Sequence, residues 1–208
     1  MSFSVFLVDD DPGVLTALSR IVRAFGYDSR TFLSPSDFLR EHNPAIPGCA
    51  ILDLTMPEVN GLELQQRLVQ ADIKRPIIFL SGHADIPASV RAMKAGAIDF
   101  LVKPVRRDEL LSAIARAEEH DAAARATANR QEAINNRLSR LTPRERQVLD
   151  HVVLGALNKQ IAATLGTVEK TIKVHRGRMM AKMEVRSVAD LVRMVEQVGV
   201  GSQPLQHR

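Results

Sequence analysis

The sequence predicts an α/β domain built on a five-stranded, doubly wound parallel sheet, followed by a long helical linker and an all-α domain of four helices. Over residues 1–120, continuous apolar runs alternate with amphipathic segments, which is typical of parallel strands covered by helices on both faces. Residues 105–142 contain no Gly or Pro, which favours one uninterrupted helix. After them, four helical patterns are separated by Gly155, Gly166 and an EVRS turn.

The predicted β-α units follow one another along the first domain. Short apolar runs predict strands at 5–8, 28–33, 49–54, 76–81 and 99–102. A helix follows Pro104, and helical spacing predicts the other helices at 12–26, 34–42, 61–71 and 86–97. For the second helix, Ser34 followed by Pro35 supplies an N-cap and a first helical residue.

The domain limits follow from the same patterns. We predict a first domain over 1–120, a helical linker over 121–140, a second domain over 141–198 and a tail over 199–208. As one helix, residues 105–140 would span about 50 Å at ~1.5 Å per residue. The apolar pattern weakens beyond Ile114, which disfavours a coiled coil and leaves a flexible polar linker as the alternative.

Charge and composition narrow the function. Residues 1–120 carry 13 basic and 16 acidic residues for a net charge of −3, whereas residues 141–208 carry 11 and 6 for +5. This favours a cation or regulatory site in the first domain and a polyanion partner for the second. The lone Cys49 is expected to pack as a small hydrophobe. Aspartates 9–11 interrupt any signal-peptide core, and no apolar run reaches 18 residues, so a cytoplasmic protein is expected.

Chemically reactive side chains are predicted to meet where the strands end. Asp9 and Asp10 follow the first strand, and Asp53 ends the third. Ser81 ends the fourth strand and Lys103 follows the fifth. Doubly wound sheets bind ligands at the carboxyl ends of their strands, and oxygen ligands with room for water suit Mg²⁺. A carboxylate beside such an ion can attack a phosphoryl group, whose oxygens a hydroxyl and an ammonium can hold.

Two neighbouring residues have ordinary predicted roles. Asp11 precedes Pro12, which favours Asp11 as the N-cap of the first helix. His83 follows Ser81 without a visible base-orienting partner and is expected to be a loop residue. No GxxxxGK[ST] or GxGxxG motif occurs, so the phosphoryl donor is expected to be another molecule.

Residues 1–120 resemble the receiver domain of two-component response regulators. The matching motifs are VDDD, LDLTMPEVNG, LSGH and KP, and the stretch GHADIPASVRAMKAGAIDF is similar to the FixJ subfamily. The resemblance implies a flavodoxin-like fold in which a partner sensor histidine kinase phosphorylates Asp53. It implies Mg²⁺ held by Asp10, Asp53 and the backbone carbonyl of Thr55, with Asp9 acting through water.

The same resemblance implies which residues contact the phosphoryl group and respond to it. Ser81 and Lys103 would contact it, and the Lys103-Pro104 peptide would be cis. Phe100 matches the family's switch aromatic, which turns inward when Ser81 moves toward the phosphate. From the residues alone, a core position in its strand beside Ile98 and Leu101 is the alternative for Phe100.

The second domain has the pattern of a helix-turn-helix. A short helix over Lys159–Leu165, a turn at Gly166 and a longer basic helix follow one another. The longer helix is predicted to turn one stripe inward, formed by Val168, Ile172, Met179 and Met183. Its opposite face, flanked by His175 and Arg178, carries Lys170, Lys173, Val174 and Gly177. Such a face suits the DNA major groove, although a solvated face of an ordinary helical bundle is the alternative.

Residues 139–198 resemble the LuxR/NarL-type DNA-binding domain through LTPRERQVLDHVVLGALNKQIA and TIKVH. The resemblance implies base-facing positions for Lys173 and Val174. It implies phosphate contacts from a second group of residues, namely Asn158, Lys159, Thr171 and His175.

This chain departs from the LuxR/NarL pattern at two positions. Val168 stands where a capping Ser or Thr is usual, so Thr167 is an alternative cap. Gly177 lies inside the helix, at a position where the family often has a longer polar side chain. The glycine removes one possible contact and costs roughly 1 kcal/mol of helix propensity relative to Ala. Arg176, at the edge of the inward stripe, is expected to brace Glu145 or a DNA phosphate.

The leading hypothesis is that the protein is a transcription factor and not an enzyme. Phosphorylation of Asp53 would control its activity. Phosphorylation would change dimerisation or free the second domain, so that a homodimer binds paired promoter half-sites and activates RNA polymerase. The runner-up is a Mg²⁺-dependent haloacid-dehalogenase-type phosphatase with Asp9 as nucleophile. It lacks the acidic pair expected after Lys103 and leaves the basic domain unexplained. A third hypothesis keeps DNA binding but controls it without phosphorylation.

Overall fold

The structure is a computed structural model that describes residues 2–83 and 86–199. The chain divides into two compact units, residues 1–125 and 126–208. In the described part, no helix combines the length and the apolar character that crossing a bilayer requires. Apart from Gly199, the predicted tail 199–208 lies outside the described residues.

The first unit contains five parallel strands in the order β2-β1-β3-β4-β5. The strands are β1 Ser4–Val8, β2 Asp28–Phe32, β3 Gly48–Asp53, β4 Ile77–Ser81 and β5 Asp99–Val102. The helices are α1 Pro12–Ala24, α2 Pro35–Glu41, α3 Gly61–Gln70, α4 Ile86–Lys94 and α5 Arg107–Ser139. The predicted doubly wound sheet is confirmed, with element ends shifted by a few residues at most.

Strand β1 shows why the apolar runs are continuous. Val5 and Leu7 pack into the core on one face of the sheet, and Phe6 and Val8 pack into the core on the other. Both faces of the strand are therefore covered, as in other parallel sheets. Cys49 belongs to the same core as Val5, and burial raises the pKa of its thiol to about 12. Its predicted role as a small hydrophobe is confirmed.

Helix α1 begins at Pro12 and is capped by Asp11. The Asp11 carboxylate accepts hydrogen bonds from the N–H groups of Gly13 and Val14, at 2.7 and 3.3 Å. These are two of the donors that the first turn of a helix leaves unpaired. The predicted capping role of Asp11 is confirmed, and it separates this residue from Asp9 and Asp10.

The second unit is helical and has a core of its own. Its helices are α6 Pro143–Val153, α7 Asn158–Thr164, α8 Glu169–Lys182 and α9 Val188–Glu196. Ile172, Met179 and Met183 are fully buried in this core, as predicted for the inward stripe of α8. Ile134 and Leu138, from the last turns of α5, pack into the same core.

The prediction that Val168 belongs to the inward stripe is wrong. Val168 is 64% exposed and is the N-cap of α8, where it forms no side-chain hydrogen bond. Its backbone is extended, with φ −98 and ψ 150, so the helical spacing that placed it inward does not apply to it. The cap falls on Val168 and not on Thr167.

Helix α5 is continuous across the predicted linker and contributes to both units. In the first unit, Asp121 is 4% exposed and accepts hydrogen bonds from Gly48 N–H and Arg125 Nε. Arg125 also donates to the backbone carbonyls of residues 44–46. A single helix therefore stands in place of a flexible linker, while the predicted domain limits at 120, 140 and 198 stay predictions.

Candidate phosphorylation site and nucleic-acid interface

The order of the strands brings the predicted acidic edge together. Strands β1, β3, β4 and β5 are successive neighbours, so their carboxyl ends lie side by side. Asp9, Asp10 and Asp53 each place a carboxylate oxygen within 4.8 Å of the others. Asp9 and Asp53 are buried, whereas Asp10 is exposed. Three carboxylates at this separation provide hard oxygen ligands for a divalent cation.

The Lys103 ammonium bridges two of the three carboxylates. Its Nζ lies 2.6 Å from Asp9 Oδ2 and 2.7 Å from Asp53 Oδ1. Burial lowers the pKa of Lys103, but the hydrogen bonds to Asp53 and Asp9 outweigh burial and raise it overall. Lys103 is therefore protonated at neutral pH and supplies a positive charge to the site. The Lys103-Pro104 peptide is cis, as the family resemblance implies.

Each oxygen of Asp53 has its own partner. Oδ1 faces Lys103, and Oδ2 accepts a hydrogen bond from Thr55 N–H at 3.0 Å. Burial raises the pKa of Asp53, and the charge of Asp9 adds to the rise, while Lys103 and the Thr55 N–H oppose it. A raised pKa makes the carboxylate more basic than one in water, which suits a nucleophile.

Gly61 packs against the backbone of Asp53 and was not among the predicted site residues. A Cβ at this position would lie 2.4 Å from the carbonyl oxygen of Asp53 and 3.0 Å from the Phe79 ring. Only glycine lets the start of α3 pass so close to the end of β3. The signal was present, because a glycine after Asn60, between a strand and a helix, indicates a close approach of the backbone.

The two aspartates that follow β1 differ in their availability to a cation. Asp9 is already engaged, since Oδ1 accepts the Asp11 N–H at 3.0 Å and Oδ2 accepts from Lys103. Asp10 is exposed and has no hydrogen-bond partner within the described part of the chain. This difference agrees with direct ligation by Asp10 and a water-mediated role for Asp9. The ligand roles, including that of the Thr55 carbonyl, stay predictions.

We expect Mg²⁺ to stabilise the first unit, because the ion would relieve the repulsion among the three carboxylates. An ion that binds only the folded state at 100 times its Kd adds about 2.7 kcal/mol of stability. The test is thermal unfolding of the full chain in MgCl₂ and in NaCl of equal ionic strength. Asp10→Asn should remove most of the Mg²⁺-specific shift, and Asp72→Asn, at an exposed loop position, should keep it. An undiminished shift in Asp10→Asn would contradict direct ligation.

The predicted switch residues lie beside this site. The Ser81 hydroxyl donates to the His83 carbonyl at 2.8 Å and accepts the His83 N–H at 3.3 Å. To donate to a phosphoryl oxygen on Asp53, the hydroxyl must give up its hydrogen bond to the His83 carbonyl. The Phe100 ring is half-buried at the margin of one core, 6.4 Å from the Phe79 ring between centroids. The switch roles of Ser81 and Phe100 stay predictions.

In the second unit, α8 presents the predicted basic face to solvent. The exposed residues on this side are Lys170, Lys173, Val174, Gly177 and Arg178. A Cβ at Gly177 would meet no atom within 4 Å, so the described structure offers no internal reason for a glycine. Thr171 and His175 are half-buried on the same helix. Their DNA contacts, like those of the exposed residues, stay predictions.

Of the two partners expected for Arg176, Glu145 is not the one that it contacts, and a DNA phosphate stays a prediction. Arg176 donates from Nη1 to Asn158 Oδ1 at 2.9 Å, and thereby connects α8 with the first residue of α7. Glu145 is paired instead with Lys182, whose Nζ lies 2.6 Å from Oε2 and lowers the pKa of Glu145. The expectation that Arg176 braces Glu145 is therefore wrong, because Lys182 already occupies that carboxylate.

A parallel sheet with this acid-and-lysine edge, in one chain with a basic helix-turn-helix, defines the class of DNA-binding response regulators. The chain belongs to this family: residues 5–115 match the response regulator receiver domain, and residues 139–195 match the bacterial regulatory proteins of the luxR family. The two domains imply a histidine kinase partner and DNA binding. Receiver domains generally bind Mg²⁺ at an acidic pocket, which here corresponds to the aspartate cluster.

Proteins similar to this chain along most of its length are transcriptional response regulators. The response regulator protein TodT of Pseudomonas putida strain F1 is 46% identical over 194 residues, which cover 93% of this chain and 86% of TodT. The transcriptional regulatory protein FixJ of Rhizobium meliloti is 40% identical over 199 residues, covering 96% and 98%. A low-resolution structure of the response regulator StyR matches with a TM-score of 0.86 and 44% identity, covering 95% and 100%. These matches confirm the FixJ-type resemblance and a non-enzymatic role, and they do not support the phosphatase hypothesis.

Proposed function

We propose that a sensor histidine kinase phosphorylates Asp53 in the presence of Mg²⁺, and that this controls promoter binding through α8. The observation that carries the proposal is the environment of Asp53: a buried carboxylate of raised pKa, 2.7 Å from the Lys103 ammonium and next to two further carboxylates. Asp10, Asp53 and the Thr55 carbonyl would hold the ion directly, and Asp9 through water. The ion would neutralise charge on the phosphoryl oxygens.

Two side chains near Asp53 would then bind the phosphoryl group. Lys103, already beside Asp53 Oδ1, is placed to pair with a phosphoryl oxygen. Ser81 would give up the hydrogen bond that it donates to the His83 carbonyl and donate to another phosphoryl oxygen. Phe100 would turn into the space that Ser81 leaves. Phosphorylation of Asp53 would thereby change the position of a side chain on β5, an edge strand of the sheet.

DNA recognition follows from the exposed face of α8. Lys170, Lys173, Val174 and Arg178 would meet the major groove. A second set would hold the backbone phosphates, namely Asn158, Lys159, Thr171 and His175. Two phosphorylated chains would bind paired half-sites as a homodimer and recruit RNA polymerase. The domains would comprise residues 1–120 and 141–198, joined by 121–140, and would act in the cytoplasm, where a bacterial promoter lies.

Phosphorylation mapping tests the first half of this proposal. The full chain is incubated with acetyl phosphate and MgCl₂, and the phosphorylated residue is identified by mass spectrometry after borohydride trapping. We expect modification of Asp53 alone, and stronger retention of a promoter fragment in a gel shift. A phosphoryl group on any other residue would overturn the assignment of Asp53.

Lys173→Ala tests the second half. We expect a loss of specific DNA affinity of about 1–3 kcal/mol if Lys173 contacts a base, because a good base contact contributes that much discrimination. Affinity for the promoter fragment and for a scrambled duplex is measured at the same salt concentration. Arg193→Ala, which removes an exposed cation from α9, is the control and should leave the ratio of the two affinities unchanged. Unchanged affinity in Lys173→Ala would remove this residue from the interface.

A further inference from the structure

The contact between Arg176 and Asn158 orients the side-chain amide of Asn158. Arg176 lies in α8, Asn158 is the first residue of α7, and the guanidinium donates to the amide oxygen of Asn158 at 2.9 Å. We propose that Arg176 is a positioning residue: it holds the oxygen of the Asn158 side chain and thereby turns the amide NH₂ outward, as a donor to a DNA phosphate. The inference rests on the proposed function, in which Asn158 anchors a phosphate.

The chemistry of the two side chains fixes this orientation. A carboxamide has an oxygen that accepts and a nitrogen that donates, and its two flipped orientations have nearly the same shape. A guanidinium has donors only, so it can hold Asn158 by the oxygen and never by the nitrogen. Within the described residues, Asn158 Nδ2 has no acceptor. The contact with Arg176 therefore selects the orientation in which Nδ2 is the free end.

Helix capping does not account for Asn158. Asn is favoured at N-caps, but the N-cap of α7 is Leu157, which forms no side-chain cap. The Leu157 N–H is satisfied by Gln160 Oε1 at 2.8 Å. Asn158 is thus free of the local role that this residue type usually has at a helix start. Its contact within the described unit is with α8, the helix that carries the predicted base-reading face.

Another explanation is that Arg176 contacts a phosphate itself. Its guanidinium has further N–H donors beyond the one that holds Asn158. In that case, removal of Arg176 would weaken DNA binding by the same factor whether or not the Asn158 amide were present. If Arg176 acts through Asn158, its removal matters only while the amide is there. The two explanations therefore differ in additivity, which a double-mutant cycle measures.

The experiment is such a cycle in the phosphorylated full chain. The probe is the genomic fragment that the wild-type chain protects in footprinting, and the readout is Kd at fixed salt. We expect Arg176→Met to weaken binding about tenfold, as the loss of one charge-assisted hydrogen bond allows, and less than about twofold in an Asn158→Ala background. Arg176→Lys should recover most of the affinity, because an ammonium can donate to the same oxygen. Arg178→Met is the matched control, and its effect should be the same in both backgrounds.

Asn158→Asp separates positioning from a merely structural contact. A carboxylate would pair with Arg176 at least as well as the amide does, so the unfolding temperature should not fall. It would also put a negative charge where we place the phosphate, so DNA affinity should fall more than in Asn158→Ala. Equal effects of Arg176→Met in both backgrounds, while the wild-type chain binds DNA, would overturn the inference alone. Absence of specific DNA binding by the phosphorylated wild-type chain would overturn the proposed function and the inference with it.

Discussion

Replacement of Asp53 by Asn is expected to abolish phosphorylation-dependent DNA binding while the chain stays folded. The carboxamide has nearly the shape of the carboxylate, and its oxygen can still accept the Thr55 N–H that Asp53 Oδ2 accepts. The carboxamide is not a nucleophile toward a phosphoryl group, so position 53 cannot be phosphorylated. Burial raises the pKa of Asp53, so its ionised form lowers stability at neutral pH, and a neutral side chain removes this effect.

The measurement is a gel shift of promoter DNA with and without acetyl phosphate, in MgCl₂. We expect the wild-type chain to bind more tightly after treatment and Asp53→Asn to bind equally under both conditions. Asp72→Asn makes the same chemical change at an exposed position and should respond like the wild type. A full response in Asp53→Asn would exclude Asp53 as the phosphorylated residue and would favour control without phosphorylation.

The acidic edge could be predicted from the sequence because its geometry is a property of parallel sheets. Adjacent parallel strands end at the same edge, so polar residues that directly follow apolar runs must come together there. Asp9, Asp53 and Lys103 all follow or end such runs and therefore belong to one site. The separate role of Asp11 was also predictable, because an Asp before a Pro is a local capping signal. Both predictions depend on short stretches of chain and on the sheet alone.

The errors arose where a prediction depended on the start of a helix or on how helices pack. Helical spacing assigned Val168 to the core, but the residue lies outside α8 and its extended backbone turns it to solvent. The choice of partner for Glu145 depends on where α6 meets α8, which no local pattern specifies. Lys182 reaches that carboxylate and Arg176 reaches α7 instead.

Lys103→Met is expected to destabilise the first unit by about 3 kcal/mol at neutral pH, the lower end of the cost of breaking a buried ion pair. The ammonium holds two carboxylates that are 2% and 5% exposed, Asp9 and Asp53. Without it, both remain buried and repel each other. A quarter of the Lys103 side chain is exposed, so water compensates only in part. The measurement is chemical unfolding of the full chain, with Lys103→Arg and Lys94→Met as controls that should lose much less.

The pH dependence of this variant has a definite sign. Burial already places the folded-state pKa of Asp53 above its unfolded value, and loss of Lys103, which opposes that rise, must move it further up. A carboxyl group whose pKa is higher in the folded state gains a proton on folding, so Lys103→Met should become more stable as pH falls from 7 toward 5. The gain is complete only below the unfolded pKa of about 4. A gain in stability no larger than that of the wild type over the same pH range would contradict this explanation.

Mg²⁺ distinguishes two roles of Lys103, which neutralises Asp9 and Asp53 and would also pair with the phosphoryl group. An ion bound by the same carboxylates would take over their neutralisation, so saturating MgCl₂ should restore part of the stability that Lys103→Met loses. It would not replace the ammonium that pairs with a phosphoryl oxygen on Asp53. The DNA-binding response to acetyl phosphate should therefore stay weak even where the fold has recovered. Recovery of both together would reduce Lys103 to a counter-ion of Asp9 and Asp53.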